Sequence, residues 1–550
     1  MPLLPITMRV YQLSISQTLT SRNNLKPRQR LTDPKATTVK SYKFRWRAAS
    51  TAVFLSLIGG FTVACSAALV PPVSEPVSQL PEEFSGSTVL GAYAPSEWWS
   101  AFNDPTLNRI IEAVLASNFD LAEAVARVDQ ARARERIADS IRSPQVQPVG
   151  TAEDTNAPTN AGIGAQVDEL DQDFRLQLPE RISLTTYTFS IDFSYEVDFW
   201  DRNLNKSRVA GAELLASEWD YRAARIGVVA ETVRTYLEIT HLRRQWELSE
   251  EIVEIFRERE KLTSFRYNSG VDSARDLYRV RRSLWDAETE LPAIEGRLAD
   301  AEARFWVLLG GFREGLADML PDTLPSLGAL EPVPAGIPAD LLTQRPDVGA
   351  ARQRMEAARY LVGVRRAELR PSLSLGGTIG LQNSDFENWL HPDQWFRNLT
   401  VNLLGPVFQG SRLQQNVTLA EKQWNEAVAA YGRTVVTAVN EVEAALSGWG
   451  TSHRFYTLRK SFAEEARAEA EYQERRYQSG VADYEDYLTA SQTLVSANSA
   501  LAAAERDLGY ARLALHRALG GTWVTSGSLP PQADDSAQTE GSPSTATSTD

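Results

Sequence analysis

One sequence pattern occurs twice in this chain, 210 residues apart, and this duplication limits what the chain can fold into. Residues 266–271 read Arg-Tyr-Asn-Ser-Gly-Val, and residues 476–481 read Arg-Tyr-Gln-Ser-Gly-Val. A Leu-Gly-Gly run at 309–311 recurs at 519–521 with the same offset. Because matches at a fixed spacing indicate repeated structural units, we expect two copies of one supersecondary unit.

Each copy carries a helical segment of unusual length, over about residues 203–267 and 413–477. At 1.5 Å of rise per residue, such a segment makes a helix of roughly 100 Å. In the second segment, apolar residues follow at steps of four and three, close to the period of a coiled coil. A further apolar row lies on another face, so we predict a bundle or closed helical barrel rather than a two-stranded coiled coil. Shorter helices are predicted at 105–143, 273–309, 343–369 and 484–519.

A β pattern is strongest over Thr186–Phe199, where every odd position is apolar and every even position is polar. A tilted membrane strand needs about 9–11 residues, with apolar side chains towards lipid and polar ones towards the lumen. Shorter alternating runs follow at 373–381 and 399–403, and a weak strand is predicted after Pro144. Four strands cannot close a barrel, and an open sheet edge is not tolerated in lipid. Three copies would supply twelve strands; a small soluble two-layer sheet is the alternative.

The composition and charge exclude several classes of function. Ten of the 57 basic residues, but only one acid, lie in residues 1–64, so the remainder carries 47 basic against 70 acidic residues. An acidic body is unsuited to phosphate contacts, so no nucleic-acid partner is expected. The sequence contains no HExxH pair, GxSxG elbow or phosphate loop. We therefore expect no enzyme activity, no cofactor and no metal site.

The N-terminus has the pattern of a secretory signal. A basic patch over 43–47 precedes an apolar stretch over 48–64 that contains Gly and Ser residues. This order is typical of a signal peptide, and the apolar run is short for a transmembrane helix. The run ends at Cys65, the only cysteine of the chain, in a setting that resembles a bacterial lipoprotein processing site. We therefore predict cleavage before Cys65 and lipidation of its thiol.

Several motifs together resemble one protein family. They are the duplicated Arg-Tyr-x-Ser-Gly-Val turns, the junction 195–202 with its counterpart 405–412, and the segments 344–348 and 98–107. In combination they resemble the TolC-like outer-membrane factors, especially the lipoprotein branch that serves tripartite efflux systems. The resemblance covers about Trp98 to Gly521.

The resemblance implies a mainly α fold with a small β part, built from the internal duplication. Three chains with four strands each would form a twelve-stranded transmembrane β-barrel in the outer membrane. This barrel would continue into a long periplasmic α-helical barrel. The implied organisation is a signal peptide (1–64), a lipid-anchored segment (65–104), a first repeat (105–311), a linker (312–342), a second repeat (343–521) and a disordered tail (522–550).

The function implied is a passive outer-membrane channel of a tripartite efflux system. It would export small molecules, such as drugs and toxic compounds, that an inner-membrane pump and a periplasmic adaptor deliver. The pump is expected to be of the resistance-nodulation-division type. Two alternatives stay open at this point: a duct for type I protein secretion, and a structural coiled-coil envelope lipoprotein. The second explains the long helices and Cys65 but not the amphipathic strands.

The resemblance places the two glycine turns at the periplasmic tip of the channel. Gly270 and Gly480 are suited to the positive-φ conformation that reverses a chain sharply after a helix. With Val271 and Val481, they are expected to form the tip turns where the adaptor docks.

The same resemblance assigns gate residues beside these turns. Asp486 is expected to form a three-fold ring of carboxylates facing the pore, and Tyr477 to help hold the closed tip. Asp276 is assigned equally to the gate and to stabilising the start of its helix, where acids suit the helix dipole. Thr489 stands where the family often has a further acid, so only one acidic ring is expected.

Overall fold

The computed structural model describes residues 97–158, 181–316, 341–388 and 392–521, with short stretches between 69 and 84 and at 319–320, 333 and 338. All of these residues belong to one compact unit, 68–550. Cys65, the signal segment and the predicted disordered tail lie outside the described residues.

The described part of the chain alternates helices with two pairs of strands. A short 3₁₀ turn at Trp98–Phe102 comes first. The elements that follow are α1 (Pro105–Ser117), α2 (Phe119–Ser140), β1 (Gln145–Pro158), β2 (Arg181–Val197), α3 (Arg202–Asn268), α4 (Ala274–Leu308), α5 (Arg313–Leu316), α6 (Leu341–Gln344), α7 (Pro346–Ala367), β3 (Ser372–Asn383), β4 (Trp395–Leu404), α8 (Arg412–Gln478) and α9 (Tyr484–Ala518).

The duplication seen in the sequence is also present in the structure. Helices α3 and α8 both have 67 residues, and α4 and α9 both have 35. Each pair of equivalent helices is offset by 210 residues, as the turn motifs are. One offset therefore relates every position of the first long hairpin, α3–α4, to a position of the second, α8–α9.

The two helices predicted at 105–143 and 343–369 are each divided in two. In the first half the chain breaks at Asn118, whose side-chain oxygen accepts a hydrogen bond from the Leu121 N–H at 3.1 Å and so caps α2. In the second half the break falls at Arg345, directly before Pro346. A residue before proline is pushed out of the helical region, so α6 ends and α7 begins there.

The four strands form one antiparallel sheet in the order β1-β2-β3-β4. Its register aligns predicted apolar positions across strands: Tyr195 lies opposite Leu375, and Leu375 lies opposite Val401. The strand predicted to be weak, β1, extends over 14 residues. Within one chain β1 is an edge strand, the position in a sheet where proline is tolerated, and the strand continues through Pro148. One face of the sheet is largely apolar.

The helices lie side by side in an order that mirrors the sheet. Next to the strands, α3 packs against α2 and α7, and α7 packs against α8. Beyond them, α3 packs against α4 and α9, and α9 packs against α8. In the sheet, in the helices next to it and in the helices beyond, the chain therefore has two lateral edges. The first-half edge consists of β1, α2 and α4, and the second-half edge consists of β4 and α8.

The main hydrophobic core lies where the N-terminal 3₁₀ turn and α1 pack on the middle of α3. Trp98 is fully buried and stacks on the His516 ring of α9, with 5.2 Å between centroids. Tyr236 of α3 donates a hydrogen bond to Asp104, the residue that caps α1. The segment before the first repeat is thus part of the folded helical layer.

Two buried histidines predict a loss of stability in acid. Burial lowers the pKa of His241 to about 4 and that of His516 to about 3, each aided by a nearby arginine. In the unfolded chain both imidazoles take up a proton near pH 6.5, so the buried neutral histidines stabilise the fold fully above that pH and less as the pH drops towards 4. Within that window, each histidine lowers the free energy of unfolding by about 1.4 kcal/mol per pH unit. We expect a lower apparent unfolding temperature at pH 5 than at pH 7.

Replacing one histidine tests this cause. His241→Leu is expected to reduce the pH dependence, whereas His453→Leu, at an exposed position of α8, keeps it. An unchanged pH dependence in the His241→Leu protein would contradict the prediction.

Candidate functional site

The first glycine turn joins α3 to α4 through a compact hydrogen-bonded motif. Gly270 has a φ of 77°. Its N–H donates to the Tyr267 carbonyl at 2.9 Å, and the Val271 N–H donates to the Arg266 carbonyl at 2.9 Å. These bonds satisfy the last carbonyls of the helix in a Schellman arrangement, which requires the left-handed conformation that glycine adopts without strain.

The second turn, between α8 and α9, repeats this geometry. Gly480 has a φ of 73°, and its N–H donates to the Tyr477 carbonyl at 2.9 Å. The Val481 N–H donates to the Arg476 carbonyl at 2.9 Å. Val271 and Val481 are exposed by 66% and 68%, so each turn presents one apolar side chain to its surroundings.

The two acids assigned to the gate occupy equivalent positions but have different surroundings. Asp276 forms a capping box with Ser273: the Asp276 N–H donates to Ser273 Oγ at 3.3 Å, and the Ser273 N–H donates to the Asp276 carboxylate at 3.3 Å. Asp276 also pairs with Arg279. The hydrogen bond from Ser273 holds the pKa of Asp276 below its ordinary value. The carboxylate of Asp276 is therefore engaged in stabilising the start of α4.

Asp486 is the third residue of α9, as Asp276 is of α4. Its side chain is exposed, and among the described residues it makes no side-chain hydrogen bond or ion pair. The residue before α9, Asp483, provides no side-chain cap. The carboxylate of Asp486 is therefore available to a neighbouring chain or to the pore.

Tyr477 belongs to a cluster of three tyrosines at the second turn. Its ring lies 4.9 Å from that of Tyr484 and stacks on that of Tyr487 at 6.2 Å. Burial and the nearby carboxylate of Glu258 raise the pKa of Tyr484. Tyr477 is 43% exposed. Within one chain, the structure groups Tyr477 with Gly480 and Asp486 and places Asp276 at the other turn.

A residue that the sequence did not single out joins the two hairpins near their turns. Arg259 of α3 reaches across to α9 with its whole guanidinium group. Its Nε lies 3.1 Å from the Glu485 carboxylate, Nη2 donates to Thr489 Oγ1 at 3.0 Å, and Nη1 donates to the Gln492 amide oxygen at 2.9 Å. The Arg259 side chain is 11% exposed. We refer to these three contacts as the Arg259 tie.

The Arg259 tie was not visible in the sequence for a simple reason. Arg259 stands in the run Arg257-Glu258-Arg259-Glu260, and alternating charges on a helix are normally a solvated face. The one related signal was the second apolar row in the equivalent segment 413–477, which predicts neighbours on two sides of that helix.

Among the described residues, no group of three His, Cys, Asp or Glu side chains is placed to hold a metal ion. No described helix combines the length and apolar character needed to cross a membrane.

A solved structure shows which fold this architecture has. The Campylobacter jejuni CmeC outer membrane channel superposes with a TM-score of 0.74 at 24% identity, covering 83% of this chain and 95% of that chain. The fold is thus that of the TolC-like channel proteins. A family model described as outer membrane efflux protein matches residues 110–311 and 337–521. The chain belongs to the outer membrane efflux protein family.

Curated relatives support the same assignment over most of their length. The pyoverdine export outer membrane protein OpmQ of Pseudomonas putida is 30% identical over 434 residues, which cover 78% of this chain and 89% of OpmQ. The solvent efflux pump outer membrane protein SrpC of Pseudomonas putida is 27% identical over 485 residues, covering 86% and 97%. The predicted family, the mainly α fold with a small β part, the outer-membrane location and the efflux function are confirmed. The chain is an outer-membrane efflux channel protein.

Proposed function

We propose that three copies of this chain form the exit duct of a tripartite efflux system. The duct passively conducts small molecules that an inner-membrane pump, of the resistance-nodulation-division type, delivers through a periplasmic adaptor. The relatives named above act on unlike cargoes, pyoverdine and solvents. In this proposal the pump selects the cargo, while the channel supplies the route across the outer membrane.

The two lateral edges of the chain are the observation that carries this proposal. The outer edges of β1 and β4 have no pairing strand among the described residues, and the sheet exposes Phe193, Ile379, Val401 and other apolar side chains on one face. An apolar sheet with unpaired edges is stable in lipid only when it closes. The first-half edge of one copy and the second-half edge of the next make a head-to-tail contact, which closes into a ring. Three four-stranded sheets give a barrel of twelve strands.

The two turns then lie together at one end of the duct. Val271 and Val481 are the exposed apolar contacts offered to the adaptor. Asp486, whose carboxylate has no partner among the described residues, forms the acidic ring of the gate, and the tyrosine cluster around Tyr477 braces the second turn. Asp276 acts at the first turn by completing the capping box of α4 with Ser273.

The N-terminal segment supports lipid anchoring at Cys65. Arg366 of α7 donates to the Leu69 carbonyl at 3.2 Å, and Arg359 donates to the Pro71 carbonyl at 3.0 Å. The chain that begins four residues after Cys65 is thus bound to the helix that leads into β3. Mass spectrometry of the mature N-terminus tests the anchor: an unmodified Cys65 would exclude it.

Two measurements on the purified full chain test the duct. Its mass in detergent should be that of three chains, and it should form discrete conducting channels in a planar bilayer. A monomeric mass or an absence of conductance would overturn the proposal.

The role of Asp486 is tested by selectivity. In the Asp486→Ala channel we expect weaker cation selectivity and weaker block by divalent cations, because the ring loses its three carboxylates. Asp276→Ala is the matched control at the equivalent position and should keep both properties. Unchanged cation selectivity and unchanged divalent block in the Asp486→Ala channel would show that Asp486 is not the pore-facing acid.

A further inference from the structure

Equivalent helices of the two hairpins differ in how many neighbours they have. Helix α9 packs between α3 and α8, whereas α4 has α3 as its main partner. The difference appears at equivalent positions 210 residues apart. Leu488 and Val495 of α9 are 3% and 5% exposed, whereas Tyr278 and Trp285 of α4 are 69% and 66% exposed. Within one chain, α4 therefore lacks the second neighbour that its counterpart α9 has.

Helix α8 lies at the opposite edge and also has an uncovered face. Phe462 and Tyr472 are 52% and 54% exposed. With Glu465 and Glu469 they line a shallow groove along α8. This groove is apolar at its ends and acidic between them.

The duplication relates the Arg259 tie to a set of residues on these two uncovered faces. Position 259 of α3 corresponds to Glu469 of α8 at the offset of 210. The three residues that Arg259 contacts correspond, at the same offset, to arginines of α4: Arg275 for Glu485, Arg279 for Thr489 and Arg282 for Gln492. The equivalent positions thus carry inverted polarity: an arginine facing one acid and two neutral side chains in the first set, and a glutamate with three arginines in the second.

These second-set residues are available to a partner. Glu469, Arg275, Arg279 and Arg282 are all exposed. Arg279 pairs with Asp276, and among the described residues the other three make no ion pair. Three arginines on one helix face repel each other unless a carboxylate lies against them.

We propose that the partner is a second copy of this chain, with Glu469 of one copy seated against Arg275, Arg279 and Arg282 of the next. The contact between copies then reproduces the Arg259 tie with inverted polarity. It rests on the proposed trimer and adds to it the register of neighbouring hairpins near the turns. Tyr278 and Trp285 are buried in the same contact against the groove between Phe462 and Tyr472.

The inverted polarity has a consequence for assembly. If α4 of a second copy took the place of α9 beside α3, Arg259 would face three arginines. Like charges brought together across an interface disfavour that pairing. The charges therefore direct α4 to α8 of the next copy and α9 to α3 of its own chain, which sets the alternating order of hairpins around the ring.

Cross-linking between cysteines tests the contact directly. The full chain carrying Glu469→Cys and Arg279→Cys is treated with a short bismaleimide linker and separated on a denaturing gel. We expect covalent dimers and trimers. The matched control, Arg259→Cys with Thr489→Cys, should give a linked peptide within one chain, detected by mass spectrometry, and a monomer band. The parent chain, with Cys65 alone, sets the background.

The outcomes separate this contact from the proposed trimer. A trimeric mass in detergent with a reacted control but no linked multimers overturns the contact and leaves the duct standing. A monomeric mass overturns the duct itself.

Charge exchange provides a second test that does not depend on the linker. Glu469→Arg is expected to lower the temperature at which the trimer dissociates, and adding Arg279→Glu and Arg282→Glu should restore it. A Glu469→Arg trimer as stable as the parent, or no recovery in the triple variant, counts against the contact.

Discussion

In the Arg259→Ala channel, we expect the single-channel conductance to rise severalfold. The substitution removes the Arg259 tie, which holds the returning helix of the second hairpin against the first near the turns. Hydrogen bonds to a charged group each contribute about 1.5–3 kcal/mol when buried, and partial exposure reduces this. A net loss of only about 1.4 kcal/mol still changes the ratio of released to held hairpins tenfold.

The control for this prediction lies two residues earlier on the same helix. Arg257 pairs with Glu288 of α4 at 3.0 Å, inside the first hairpin, and its side chain is 55% exposed. Arg257→Ala removes an arginine ion pair without separating the hairpins, so its conductance should stay near that of the parent. The same conductance in both variants would contradict a gating role for Arg259.

The largest loss of stability from a single added methyl group is expected for Gly310→Ala. Gly310 has a φ of 66°, and a Cβ atom there would lie 2.4 Å from the Ser117 carbonyl oxygen. The left-handed conformation costs a residue with a side chain about 1–2 kcal/mol. Relieving the clash also disturbs the bonds from Ser117 Oγ to the Leu309 carbonyl and from the Asn118 amide to the Leu308 carbonyl. These bonds hold α1 and α2 to the end of α4.

Two other glycines separate the effect of backbone strain from that of the steric clash. Gly270 has a φ of 77° with no atom near the added Cβ, so Gly270→Ala should show the conformational strain alone. Gly211 lies inside α3 with open space and ordinary helical backbone, so Gly211→Ala should stabilise by up to about 1 kcal/mol. The apparent unfolding temperatures of the three variants, measured at one scan rate, rank their stabilities. A Gly310→Ala protein as stable as Gly270→Ala would show that the chain relaxes around the clash.

The long helices and their turns were predictable because they depend on interactions close in sequence. The predicted segments 203–267 and 413–477 became helices Arg202–Asn268 and Arg412–Gln478. The left-handed glycines of the two turns followed from the same motif, since a helix stop needs only its last carbonyls and a residue without a side chain. The alternation over Thr186–Phe199 likewise indicated β2, although the strand begins earlier and ends at Val197.

Other features required the tertiary structure. Asp276 and Asp486 occupy the same place in equivalent motifs, but Asp276 is engaged by Ser273 and Arg279, whereas Asp486 makes no side-chain hydrogen bond or ion pair among the described residues. The breaks at Asn118 and Arg345 interrupt patterns that read as single helices. At Asn118, the side chain bonds to a carbonyl of α4, 190 residues away.

The sequence by itself thus determined the duplication, the helix lengths, the turns and the family. Each depends on periodicity or on contacts within a few residues. Only the tertiary structure decided which helices lie together and which side chains meet across them, as in the Arg259 tie. The physical reason is that a shift of one residue rotates a helix face by about 100°. Contacts between segments more than 200 residues apart therefore depend on the packing of the whole layer, which no local pattern specifies.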